Sequence, residues 1–170
     1  WYELVKTAGS WAIAQQATYA GDVPASDTVH RWMGSIGMDR MGNIALGYTV
    51  SNATSQYPGL GLVGRLAGDP ANTLPQGERI AFSGAASQTG VNRWGDYSSM
   101  SIDPQDGCTF WFTSEYSSGS WDWMTRIVSF KYPTCSALPI GTISGTVTDS
   151  VSGDPIPNAN VTAGAYGTIA

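Results

Sequence analysis

The sequence predicts an all-β chain of antiparallel four-stranded units, followed by the first part of a small β-sandwich. Three observations predict it. Only 12% of the 170 residues are charged, while Gly (21), Trp (7) and Tyr (8) are abundant. Ordinary soluble domains carry about 25% charged residues; aromatic side chains suit a pleated, half-buried surface, and glycine suits tight turns. A hairpin pattern occurs twice. Beyond residue 140 the pattern becomes a strict alternation rich in Thr, Val and Ile, the period of a strand.

The repeat supplies most of the element assignments. Its first copy runs His30-Arg31-Trp32, an alternating stretch to Asp39, a turn at Gly42-Asn43, then Ile44 to Thr49. Its second runs Asn92-Arg93-Trp94, then Ser99 to Asp103, a turn at Asp106-Gly107, then Cys108 to Thr113. Two alternating runs joined by a glycine turn read as a β-hairpin. A third strand follows in each copy, Leu60 to Ala67 matching Trp123 to Phe130, with Arg65 and Arg126 in equivalent places. Trp1 to Lys6 fits the same slot in a preceding copy. A fourth strand near Arg79 to Ser83 leads toward the second Arg-Trp, and Trp11 to Thr18 does so for the first. The unit is therefore four strands in about 60 residues, long for a propeller blade.

The chain is expected to hold two strands of one unit, a complete second unit and three strands of a third. It reads as a piece of a longer protein, with the remaining blades upstream supplying the missing strand, as ring closure in a propeller removes exposed edges. Residues 1–135 are the expected propeller blades, 136–140 a linker, and 141–170 the start of a sandwich module. In that module Gly141 to Asp149 is expected as a strand, Ser150 to Asp154 as a turn, and Pro155 to Val161 as the way into a second strand.

A net charge of −5, with only 8 Lys and Arg, argues against nucleic acid, whose phosphates need a basic surface. No apolar run approaches the roughly 18 residues of a membrane span. Of the two cysteines, Cys108 and Cys135, a metal pair is disfavoured by the single histidine and the lack of CxxC spacing. A disulfide is expected, stabilising the fold by about 3 kcal/mol in the chain-entropy model. That places the protein in an oxidising compartment, secreted or at the cell surface.

Two resemblances refine this reading. Ser144-Gly145-Thr146-Val147-Thr148-Asp149, then Ser152-Gly153-Asp154-Pro155-Ile156-Pro157 through Val161, resembles the opening of a carboxypeptidase regulatory-like module. That resemblance implies a transthyretin-like, Ig-type sandwich and a non-catalytic appendage of a secreted bacterial protein. The paired Arg-Trp hairpins and the stretch Ser101-Ile102-Asp103 through Gly107, Thr109 and Trp111 are similar to the Asp-box repeats of sialidase-like β-propellers. The match has extra residues between Asp103 and Gly107, and the first copy departs further. An Asp box implies architecture and no catalytic role.

No complete catalytic set is legible. A sialidase-type site needs arginines to hold a carboxylate, a nucleophile with its base, and a general acid. The candidates are Arg31, Arg93, Asp96, Tyr97 and Glu115. For Arg31 and Arg93 the preferred reading is structural, with Trp32 and Trp94 in the core between units and each arginine stacked or paired with a neighbouring Asp. Asp39, Asp103 and Gly107 read as turn residues, and His30 as a loop residue. Tyr57, Tyr116, Trp121 and Trp123 are candidates to stack on sugars, and packing between blades explains them equally well. No cofactor is expected; Asp103/Asp106 and Asp149/Asp154 are weak candidates for Ca²⁺, without EF-hand spacing. The expected function is an extracellular binding or scaffolding propeller for glycan or protein. The alternatives are a sialidase-type glycoside hydrolase with most of its site upstream, or an accessory region of a secreted protease.

Overall fold

The structure, a computed structural model, describes residues 1–21, 28–90, 92–120, 122–136 and 144–159. The chain divides into two units, Trp1–Leu138 and Pro139–Ala170. The described residues form no helix. The first unit contains three antiparallel sheets. Strands β1 (Tyr2–Thr7) and β2 (Ser10–Gln16) form a two-stranded sheet. Strands β3 (His30–Met38), β4 (Ile44–Ser51), β5 (Gly59–Arg65) and β6 (Arg79–Phe82) form a four-stranded meander. Strands β7 (Ser99–Ile102), β8 (Phe110–Ser117) and β9 (Trp123–Phe130) form a three-stranded one. The all-β class and this grouping into two, four and three strands are those expected from the repeat.

Local chemistry sets the hairpins. Thr7 pairs with Ser10 across Ala8-Gly9, whose φ values of 50° and 86° are those of a type I′ turn. The β3–β4 and β7–β8 turns share one device, an aspartate that caps the turn it opens. Asp39 accepts the amides of Met41 and Asn43, both at 2.9 Å, and Asp103 accepts that of Gln105 at 2.9 Å. Gly42 and Gly107 provide the positive φ that closes each turn. The two turns also meet, the Arg40 amide donating to the Gly107 carbonyl at 2.9 Å.

Alternation along β4 divides the core. Ala45, Gly47 and Thr49 face one way; Leu46, Tyr48 and Val50 face the other. On the first face Ala45, Leu60 and Leu62 pack against Met100, Phe110 and Phe112 of the three-stranded sheet. The Phe112 ring lies so close to Gly47 that a Cβ there would sit 2.6 Å from it. On the second face Tyr48, Val50, Val63 and Leu74 pack with Trp1, Tyr19 and Val29. The four-stranded sheet is thus covered on both faces, and every residue of β5 is buried. Full burial of an aromatic such as Phe112 contributes about 2–3 kcal/mol.

Cys108 and Cys135 form the expected disulfide, with both residues buried and Cα atoms 5.6 Å apart. It ties the β7–β8 connection to the segment after β9. The repeat in the sequence puts Trp32 and Trp94 in the core between units. Both are only half-buried and lie outside both clusters, whose aromatic volume comes from Phe110, Phe112 and Tyr48. The cause is local. Met33 has φ 51° and the β3–β4 register breaks between Trp32 and Ser35, while Arg93-Trp94 precede β7 and lie outside any strand.

In the second unit, residues 144–159 show a turn without an extended sheet. The strand expected over residues 141–149 is, within the described residues, one bridge between Thr148 and Pro155. An isolated pair of strands is marginal in water. The turn itself is where expected: the Asp149 amide donates to the Asp154 carbonyl at 2.8 Å, and Gly153 has φ 78°. Residues 137–143 and 160–170, which include most of the expected linker and Val161, lie outside the described residues.

Candidate functional site

The segment between the four-stranded and three-stranded sheets builds an open cleft of about 420 Å³. Its walls come from Gln88, the run Arg93 to Tyr97, Glu115 on β8 and Trp123 at the start of β9. Four of the five catalytic candidates, Arg93, Asp96, Tyr97 and Glu115, therefore come together; Arg31 is not among the lining residues.

Each wall is held by a specific contact. Gly95 is buried with φ 60°, and its amide donates to a Glu115 carboxylate oxygen at 2.9 Å. The Trp94 indole N–H donates to the Thr49 hydroxyl on β4 at 3.2 Å. The Ser98 hydroxyl donates to the Met33 carbonyl on β3 at 2.8 Å. The run is thus pinned to β3, β4 and β8. Arg93 forms an ion pair with Asp96, both side chains reaching solvent. Trp123 is 56% exposed and Tyr97 89% exposed, so two aromatic rings stand free at the cleft. By alternation Glu115 and Trp123 occupy the face of the three-stranded sheet turned away from the four-stranded one, with Trp111 and Ile127.

Arg31 has a different environment from Arg93, although the two Arg-Trp pairs are alike in sequence. Its side chain is 7% exposed. Its Nε and one terminal nitrogen each donate to a Glu78 oxygen at 2.7 Å, and the other terminal nitrogen donates to the carbonyls of Ala20 and Val29. The guanidinium also lies 5.8 Å from the Tyr19 ring centroid. The Tyr48 hydroxyl donates to Glu78 at 2.5 Å. Burial, and next the Glu78 carboxylate, push the Tyr48 phenol far above its ordinary value. Glu78 carries no repeat or motif signal in the sequence; neither do Gln88 and Gly95.

The remaining sequence candidates lie away from the cleft or outside the described residues. His30 is exposed at the first position of β3, in register with Ser51. The Tyr116 ring packs edge-on to Phe82, and Tyr57 is 47% exposed. Trp121 lies outside the described residues. The Asp103 carboxylate takes the Gln105 amide and the Trp111 indole N–H. Asp106 takes the Thr109 and Cys108 amides and the Thr109 hydroxyl, and these bonds lower its carboxyl to about 2. Asp149 takes the amides of Ser152 and Val151, which lower its carboxyl too. No group of three or more His, Cys, Asp or Glu positioned to hold a metal occurs among the described residues. No helix among them is long and apolar enough to cross a membrane.

No protein-family model, no curated protein and no solved structure matches this chain.

Proposed function

We propose that this chain belongs to an extracellular, propeller-type binding domain and that its cleft receives a glycan. The observation that carries the reading is the cleft itself: the exposed rings of Trp123 and Tyr97 beside Gln88, Arg93, Asp96 and Glu115. Sugars present apolar C–H faces rimmed by hydroxyls, so a flat ring flanked by carboxylates, an amide and a guanidinium is complementary to them. The propeller part of the reading is supported by the sheets. The middle sheet is covered on both faces. The flanking sheets leave Leu4, Trp11 and Ile13 on one side, and Trp111 and Ile127 on the other, open to solvent. Such units bury their cores only against neighbours, and further blades would cover these faces. The disulfide is compatible with an oxidising compartment. The Asp149 turn in the second unit supports a carboxypeptidase regulatory-like module there.

A sialidase-type hydrolase is less well supported. It requires several arginines around one carboxylate, and Arg31 is engaged by Glu78 outside the cleft. Glu115 and Asp96 are engaged in holding the cleft wall. The test is glycan-array binding of the chain and of its Trp123→Ala and Tyr97→Ala variants. Both side chains are exposed, so melting temperature should hold while binding drops by roughly tenfold or more. Unchanged binding in both variants overturns the reading.

A further inference from the structure

We infer that the cleft selects neutral glycans and rejects carboxylated ones such as sialylated or uronic-acid sugars, an inference that rests on the glycan reading above. The argument is one of charge. Among the described residues, the charged ones lining the cleft are Arg93, Asp96 and Glu115. One guanidinium against two carboxylates leaves the cleft one unit negative. The guanidinium is already paired: Arg93 binds Asp96 three residues on, in the same wall. An incoming carboxylate would have to share the guanidinium with Asp96 and would face two carboxylates. The nearest alternative cation by sequence pattern, Arg31, spends its fork on Glu78 and its other terminal nitrogen on two carbonyls.

The same groups suit a neutral sugar. Hydroxyls donate to carboxylate oxygens without adding charge, and such charge-assisted bonds are stronger than neutral ones. Trp123 and Tyr97 offer ring faces to the sugar's C–H surface. Gln88 offers both a donor and an acceptor for further hydroxyls. The chain as a whole carries −5, which reinforces repulsion of anionic glycans at low salt.

The experiment uses matched pairs of oligosaccharides that differ only in one terminal sialic acid or uronic acid, titrated against the full chain. The neutral member should bind roughly tenfold tighter at low ionic strength, the size of one like-charge contact in a partly wetted cleft. The gap should shrink at about 1 M salt, where the screening length falls to about 3 Å. In the Asp96→Asn/Glu115→Gln double variant the cleft becomes positive, while both replacements keep an oxygen that accepts the Arg93 and Gly95 bonds. Preference should then move toward the carboxylated member. Equal or tighter binding of the carboxylated member by the unmodified chain overturns the charge inference and leaves the glycan reading standing. Binding of neither member in any pair overturns both. The salt titration needs no variant, so the inference stays testable even if the double variant does not fold.

Discussion

Tyr48 is the residue at which burial and charge act together. It lies 3% exposed beneath the four-stranded sheet, with its hydroxyl on Glu78 and Glu78 held by Arg31. Tyr132 is a second phenol of this kind. Its hydroxyl donates to the Ile44 carbonyl at 3.2 Å, and burial, then Asp39 and Asp69, push it up to about 12. Both groups have folded values above the unfolded tyrosine value of about 10. Their contribution is complete below that pH and is lost as pH rises toward the folded values. Denaturation midpoints should therefore fall once pH exceeds about 10. Tyr48→Phe should cost about 1 kcal/mol at neutral pH through the lost hydrogen bond, and should show a shallower alkaline decline. Coincident alkaline declines in the two proteins would show that Tyr48 does not titrate as described. Repetition in the sequence singled out Arg31 but not its partner: stacking or a neighbouring Asp was expected, and the chain brings in Glu78 from 47 residues away.

At the scale of elements, the strand assignments followed from alternation and turn residues, both local properties. Asp39, Asp103 and Asp149 each accept the amide two residues on, a bond available before any tertiary contact forms. That is why the turns were readable. The role of Gly47 was not readable, because its requirement comes from another sheet. It sits mid-strand in β4, and the Phe112 ring occupies the space a side chain would take. Gly47→Ala should destabilise the protein by about 1–3 kcal/mol through overpacking. Gly68→Ala is a control, since nothing lies within 4 Å of a Cβ at that position. Urea denaturation of the two variants checks this, and equal stabilities would remove the claim of close packing. The placing of Trp32 and Trp94 has a local cause instead: a bulge at Met33 and an irregular run before β7 decide where those rings go.

At the scale of the whole first unit, the sheets bury apolar surface unequally. The four-stranded sheet is enclosed, while Trp11 and Ile13 on β2 and Ile127 on β9 are 67%, 54% and 66% exposed. Apolar patches of this kind mark association surfaces. The isolated chain should self-associate as concentration rises. Sedimentation velocity should show this for the unmodified chain and much less of it for Ile127→Lys combined with Trp11→Lys. A concentration-independent monomer would show that these faces need no cover. The cleft also belongs to this scale. Arg93, Asp96 and Glu115 were grouped as candidates in the sequence without a geometry, and the crossing of the 93–98 run over β3, β4 and β8 brings them together.

The sequence by itself determined the all-β class, the grouping of strands, the hairpin turns and the disulfide. These depend on alternation, on turn residues and on a single pair of thiols. Tertiary structure alone decided that Arg31 is buried against Glu78 while Arg93 faces solvent, and that one open cleft gathers Glu115, Asp96, Tyr97 and Trp123. The physical reason is the range of the interactions. Periodicity and turn chemistry act within a few residues. Ion-pair partners, ring packing and the walls of a cleft are set by contacts between strands far apart in the chain, which identical Arg-Trp dipeptides do not encode.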